Sequence, residues 1–227
     1  IYAPSVVETP EGWRVFYGAW DGSPTGNDRI YSVVTKDFLS FNERHTVIEH
    51  GPFQHVCNVS AVATSPTGFA LMCTAYPDAQ GLNKPAFFSS PDGRTWNGSP
   101  APYTATSNDI VRIHGYEKYA AADINGMNVL LREGEKFRLY FANFKDFGQV
   151  FRASGTNGRD FDFDGVALAE KAAPNDVKIF RVGTTNWHLM GLHRNRELTW
   201  FSLSPDGRDF EPMRPLLTNA SPPDRYI

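Results

Sequence analysis

The chain has 227 residues, about one and a half times a common domain length, and one all-β domain of that size is ordinary. Hydrophobic residues make up 41% and charged residues 21%, which supports a core and excludes general disorder. The net charge of −3 lacks the basic excess of a nucleic-acid binder, and no stretch approaches the ~18 apolar residues of a membrane-spanning helix.

Aromatic residues reach 14%, and 19 Gly with 16 Pro supply turns, so the composition favours short strands. The chain starts on Ile1 and stops at Pro223-Asp224-Arg225-Tyr226-Ile227, where a strand begins. It reads as cut at both ends, so the lack of a signal peptide decides nothing.

The predicted strands fall into four similar units. The first has strands over residues 4–8, 13–17 and 29–34, then the turn Thr35-Lys36-Asp37-Phe38-Leu39-Ser40-Phe41. The second has strands over 58–64, 69–76 and 86–89, then Ser90-Pro91-Asp92-Gly93-Arg94-Thr95-Trp96. The third has strands over 128–132, 137–141 and 149–153, then Gly155-Thr156-Asn157-Gly158-Arg159-Asp160-Phe161. The fourth has strands over 177–182, 187–192 and 198–203, then Ser204-Pro205-Asp206-Gly207-Arg208-Asp209-Phe210. In each turn an Asp or Asn precedes an aromatic residue by four positions, and a final strand follows. Asp-Gly and Asn-Gly favour tight hairpins because both residues tolerate positive φ.

Four strands in a unit of roughly 50 residues is the grammar of a β-propeller blade. The predicted fold is an all-β, five-bladed propeller in one domain. Blades occupy residues 2–51, 53–105, 106–170 and 171–220, and a fifth starts at 221–227. Imperfect alternation within strands fits sheets covered on both faces. A β-sandwich with coincidental turns is the alternative.

The cysteines, Cys57 and Cys73, read as buried thiols, because direct cross-strand disulfides in one hairpin are awkward. No Cys/His cluster has zinc spacing. Asn58, Asn97 and Asn219 begin Asn-x-Ser sequons, a pattern common by chance.

The first strand of a blade lines the central channel. Aligning the units gives Ala3-Pro4, Asn58, Asp123, Asp176 and Asp224 as pocket positions. Converging carboxylates split their pKa values, which suits an acid and a base working on one glycosidic bond. Strand-start Asp residues that cap local backbone are the alternative. Glu117, in a long polar connection, is the candidate general acid, or else a solvated loop residue. Arg112 and His114 share that connection and are candidate substrate contacts. Lys178, two residues past Asp176, faces the same side of a strand and would keep that Asp ionised. Trp20 and Asp21 follow the second strand, where the Trp offers a sugar-stacking face or fills a core. Asn58 and His193 complete the candidate substrate-binding set, and His55, like His114 and His193, is an axial ligand or sugar contact or else an ordinary polar residue.

Tyr2-Ala3-Pro4-Ser5-Val6-Val7, Asn58-Val59-Ser60-Ala61-Val62 and Ala122-Asp123-Ile124-Asn125-Gly126 resemble blade starts of the five-bladed propeller glycoside hydrolases. This is the arabinanase, β-xylosidase and invertase superfamily. The second strands Trp13-Arg14-Val15-Phe16-Tyr17 and Phe137-Arg138-Leu139-Tyr140-Phe141 carry the same resemblance. It implies a glycosidase acting on an oligo- or polysaccharide, secreted, periplasmic or at the cell surface, with no required cofactor. It also allows a calcium ion near the axis, which no ligand set in the sequence demands. No nucleic-acid or membrane partner is implied, and the oligomeric state stays open.

The family's three carboxylates are a base or nucleophile, a pKa-modulating Asp and a Glu acid. Here the first-blade Asp-Pro-Ser is Ala3-Pro4-Ser5, Asp176 stands at the Glu position, and Asp123 matches the modulating position. A non-catalytic carbohydrate-binding propeller is one alternative. A sialidase-like propeller is another, since Ser90-Pro91-Asp92-Gly93-Arg94-Thr95-Trp96 resembles an Asp-box, with Asp and Gly adjacent rather than one residue apart.

Overall fold

The computed structural model describes residues 1–20, 22, 26–77, 81–194 and 198–218. Blade one is a meander of β1 (Tyr2–Thr9), β2 (Gly12–Trp20), β3 (Asp28–Thr35) and β4 (Asn42–Glu49). Blade two pairs β5 (His55–Ala63), β6 (Phe69–Tyr76) and β7 (Lys84–Ser90). The hairpin of β8 (Thr95–Trp96) and β9 (Ser99–Pro100) follows, then β10 (Tyr103–Thr104) and β11 (Arg112–His114). Blade three is β12 (Val129–Glu133), β13 (Lys136–Ala142), β14 (Val150–Gly155) and β15 (Asp160–Leu168). Blade four is β16 (Ala173–Val182), β17 (Thr185–His193), β18 (Leu198–Ser204) and β19 (Arg214–Thr218).

The first strands β1, β5, β12 and β16 touch in that order and form the inner wall. Two equivalent serines fasten them. Ser5 Oγ accepts from the Ala61 amide at 2.9 Å, and Ser60 Oγ accepts from the Leu130 amide at 3.0 Å. Each serine follows a bulge, opened by Ala3 at φ 47° and Asn58 at φ 55°.

Three apolar clusters fill the three joints between blades. Phe16, Ile30 and Ile48 meet Val59, Leu71 and Trp96 between blades one and two. Met72 and Phe87 meet Leu139, Phe141 and Phe161 at the next joint. Leu131 and Tyr140 meet Val177, Met190 and Leu192 at the third. Phe69 through Ala75 are buried without a break, because blade two is covered on both faces. That is why alternation fails there. The end blades differ, since Val6 on β1 and Ile179, Phe180 and Val182 on β16 are exposed.

Blade two departs from the four-strand expectation. After Trp96 the chain runs through Asn97-Gly98-Ser99-Pro100 and Pro102, and proline cannot donate to a ladder. The segment instead serves three blades. β10 pairs in parallel with β4, Val111 donates to the Pro85 carbonyl at 2.9 Å, and β11 pairs in parallel with β15. The expected fifth-blade start at 221–227 lies outside the described residues.

The repeated turns share one geometry. Asp92 Oδ1 accepts from the amides of Arg94 and Thr95 at 2.8 and 2.7 Å, and Asn157 Oδ1 from those of Arg159 and Asp160 at 2.9 and 2.8 Å. Asp37 does the same for Leu39 and Ser40 at 2.9 and 2.8 Å. The next residue is left-handed, at φ 72° in Gly93, 75° in Gly158 and 68° in Gly207, while blade one uses Phe38 at φ 57°. The aromatic four positions after the anchor is fully buried as Trp96 and Phe161, but Phe41 is exposed.

These turns face the end of the barrel opposite the starts of the inner strands. The second-strand arginine of one blade reaches the turn of the next. Arg138 Nη1 donates to the Asp206 carbonyl at 2.9 Å, and Tyr140 donates to the Gly207 carbonyl at 2.7 Å. Arg138 and Tyr140 of this second strand are therefore an inter-blade latch between blades three and four.

Candidate functional site

The starts of the inner strands and the loops joining second to third strands share one face, the mouth. On blade one β3 begins with Asp28, and on blade two β5 begins with His55. His55 Nδ1 lies 2.9 Å from Asp28 Oδ2 and 3.0 Å from the Asp28 amide nitrogen. That nitrogen can therefore donate to the carboxylate or accept from the amide. Both side chains are half-buried, at 23% and 18% exposure. The Tyr2 phenol hydrogen-bonds to both Asp28 and the Cys57 thiol.

The ring edge of His55 meets Tyr76, with centroids 5.7 Å apart at 88°. Tyr76 donates to Asn125 Oδ1, and Asn58 Nδ2 donates to the Tyr76 oxygen at 3.3 Å. Asp28, His55, Tyr76, Asn58 and Asn125 thus form one continuous polar rim across blades one to three.

Burial, then the neighbouring thiol, raises the Tyr2 and Tyr76 phenols well above their ordinary value. Both stay protonated, with their protons held by Asn125 in one case and by Asp28 and Cys57 in the other. Burial pushes the Cys57 thiol up to about 12, so it is no nucleophile at neutral pH. Both cysteines are free.

Asp123 stands beside this rim but off the inner strand, six residues before β12 begins. Its Oδ1 accepts from the Asn83 amide at 3.1 Å and from Asn83 Nδ2 at 2.7 Å. Its own amide donates to Asn143 Oδ1 at 3.1 Å, and its carbonyl accepts from Phe144 at 2.8 Å. Lys84 braces the same corner by donating to the carbonyls of Tyr119 and Ala122 at 2.5 and 2.6 Å. Burial lowers the Lys84 pKa, against an opposing pull from Asp123. The inner-strand position expected for Asp123 is a correction: Asn125 reaches Tyr76 at the axis, and Asp123 bridges blades two and three.

Asp176 begins the regular part of β16, and Lys178 Nζ lies 2.9 and 3.1 Å from its two oxygens. Both side chains are more than half exposed, so the pair adds little stability. His193 ends β17, exposed on the mouth face. Trp20 ends β2 there with 53% of its surface exposed. Asp21 and Asp224 lie outside the described residues.

Arg112, His114 and Glu117 are not brought to the axis. Blade three runs in the order β11-β15-β14-β13-β12, so Arg112 and His114 sit on its outermost strand. Arg112 grips Asp160 at 2.6 and 2.9 Å, and His114 Nε2 lies 3.3 Å from the same carboxylate. That grip, with Asn157, holds the Asp160 carboxyl well below the usual range. Glu117 lies on the outer rim beside the ion pair of Lys118 and Asp146, in a cleft of about 390 Å³. The strand pairing of a long connection is invisible to periodicity, and it carried these residues outward.

Tyr2, Asp28 and Tyr76 were not among the expected site residues, whereas His55 was a possible sugar contact and Asn125 lay in the turn expected at the pocket rim. The signal for Asp28 was the return of the second hairpin, which pairs it with Trp20. Among the described residues no group of three or more His, Cys, Asp or Glu is placed to hold a metal ion. Among the described residues no helix is long and apolar enough to cross a membrane.

No family model matches the chain, and no curated protein matches it. Solved structures do. One belongs to GH130, a family of mannoside phosphorylases containing glycoside hydrolases that target β-1,2-mannosidic linkages in Candida mannan. It superposes with a TM-score of 0.65 at 12% identity, over 97% of this chain and 72% of that one. A glycosyl hydrolase from Bacteroides ovatus gives 0.64 at 11%, over 97% and 72%. An exo-inulinase from Aspergillus awamori gives 0.67 at 16%, over 92% of this chain and 48% of the inulinase. The fold of this chain is thus the β-propeller that these glycoside hydrolases carry.

Proposed function

We propose that the protein is a glycoside hydrolase that cleaves a saccharide at the mouth. The observation that supports this most is the rim of Asp28, His55, Tyr76, Asn58 and Asn125, with Asp123 beside it. Neutral donors there can hold sugar hydroxyls, and a carboxylate paired with an imidazole can exchange a proton. The fold likeness to glycoside hydrolases supports the same reading. Asp123 has one oxygen bound by Asn83, which leaves Oδ2 to face a substrate or a water. Asp176, held by Lys178, is the candidate second carboxyl group. Glycoside hydrolysis uses a pair of carboxyl groups flanking the scissile bond.

A fifth blade belongs to the same proposal. Its place is between β16 and β1, whose residues Phe180, Val182 and Val6 lie on the faces turned away from the neighbouring blades and expose apolar surface.

A second reading, a carbohydrate-binding propeller without catalysis, is favoured by Ala3. It puts no functional group at the bulge where blade two presents Asn58. The two readings separate in one experiment. The full-length protein is incubated with a panel of mannans, fructans, arabinans and xylans, and reducing ends are assayed alongside binding. Release of sugar supports the hydrolase, binding without release supports the second reading, and neither overturns both.

A further inference from the structure

The end of the barrel opposite the mouth carries a cleft of about 330 Å³ between blades three and four. Lys136, Arg138, Arg152 and Arg208 line it, with Glu133 and Asp164. The joint between blades one and two has a cleft of the same construction, which provides an internal comparison. There the cations are Arg14 and Arg94, and the carboxylates are Glu11, Glu43 and Asp92.

Strand register matches the two clefts residue by residue. Arg14 opposite Val34 corresponds to Arg138 opposite Ser154. Phe16 opposite Ser32 corresponds to Tyr140 opposite Arg152. Thr9 opposite Gly12 corresponds to Glu133 opposite Lys136. Arg94 and Arg208 both follow the Asp-Gly of a turn. Both joints share the arginine that approaches the next blade's turn. Arg152 and Lys136 are additions, standing where the other cleft has Ser32 and Gly12.

The added charge is not consumed locally. Glu133 is occupied by Arg138 at 2.7 Å and His188 at 3.0 Å. Arg152 spends its donors on carbonyls, with Nη1 on Asp164 at 2.6 Å and Nε on Arg208 at 3.1 Å. The second of these draws its guanidinium across the joint to the residue that bears another guanidinium. Among the described residues neither Lys136 nor Arg208 has an ion-pair partner. Four cations against the carboxylates of Glu133 and Asp164 leave the cleft an excess of positive charge, and a bound anion relieves the repulsion among them.

The geometry points to an oxyanion site in this cleft, for a sulfate or phosphate group free or esterified to a saccharide. Guanidinium forks match two oxygens of such a group, and the ammonium of Lys136 adds a point charge. The site lies at the opposite end of the barrel from the mouth and is independent of the proposed hydrolysis.

The test is titration calorimetry of the full-length protein with sodium sulfate, sodium phosphate, glucose 6-sulfate and glucose 6-phosphate, with glucose as the uncharged control. We expect saturable binding of the anions that weakens as sodium chloride rises, and none of glucose. Tighter binding of the esters than of the free ions identifies a saccharide-borne group, and the reverse an inorganic ion. R152S, which restores the residue of the other cleft, should weaken binding at least ten-fold, while R94Q in that cleft should leave it unchanged. R208Q, at an exposed turn, gives the same reading should R152S not fold. Absence of binding by the unaltered protein overturns the site. So does binding that R152S and R208Q leave intact, or that R94Q weakens equally.

Discussion

Asp28 Oδ2 and His55 Nδ1 lie 2.9 Å apart across the joint of blades one and two, and the Asp28 amide lies 3.0 Å from the same nitrogen. One carboxylate and one amide of a single residue thus compete for one imidazole nitrogen. A hydrogen bond that can reverse its direction suits proton transfer more than mere fastening. Asp28→Asn keeps the size and removes the charge. It should lower kcat on the glycan identified in the panel by about 100-fold or more while KM moves little. Unchanged kcat would remove the pair from the chemistry.

Asp123 offers a second handle. Its Oδ1 serves Asn83 twice, so Asp123→Asn can keep one of those bonds and should fold as the parent does. Turnover should be abolished, read as reducing-end release beside an unchanged melting profile. Asn83→Ala should lower turnover less, because it loosens the carboxylate without removing it. Retained turnover in Asp123→Asn would exclude Asp123 as an essential group.

The blade repeat was legible because each turn writes its own mechanism into the chain. An anchor side chain must cap two amides, and the following residue must be left-handed. The inner-strand starts were legible to within a few residues, as β16 and β5 begin only slightly before the expected positions. The destination of 91–128 was not. Two-residue and three-residue strands such as β10 and β11 have no period to read, and their partners lie in other blades. Arg112, His114 and Glu117 were therefore expected at the funnel and stand at the rim. Asp28, and its pairing with His55, were hidden for a related reason. They meet only because the joint between blades closes, and local sequence does not encode that joint.

The turn carboxylates make acid stability predictable. Backbone amides hold the Asp92 and Asp206 carboxyls below their usual range, Thr95 and Arg94 for the first and Arg208 for the second. A depressed native pKa stabilises the fold fully above the unfolded carboxylate value of about 4, and the contribution is lost as pH falls through the native value. The melting temperature should therefore fall steadily below about pH 4. Asp92→Asn and Asp206→Asn should each flatten that slope and cost little at pH 7, since both groups are exposed. A slope unchanged in the double variant would place the acid lability elsewhere.

Gly158 tests the joint between blades two and three. It sits at φ 75°, and a Cβ built there would fall 2.1 Å from the ring of Phe87. Phe87 is buried against Phe137, with centroids 5.6 Å apart at 65°, so it cannot swing into open space. Gly158→Ala combines left-handed strain of about 1 kcal/mol with overpacking of about 1–3 kcal/mol. Urea denaturation should show a loss of about 2–4 kcal/mol. Adding Phe87→Leu should recover part of that loss, because the smaller side chain clears the path of the new methyl group. Gly134→Ala, at a hairpin turn with φ 62° and nothing within 4 Å of the new Cβ, should show the strain alone. Equal losses at Gly158 and Gly134 would mean that backbone conformation, and not the packing of one blade on the next, sets the need for glycine in the turn.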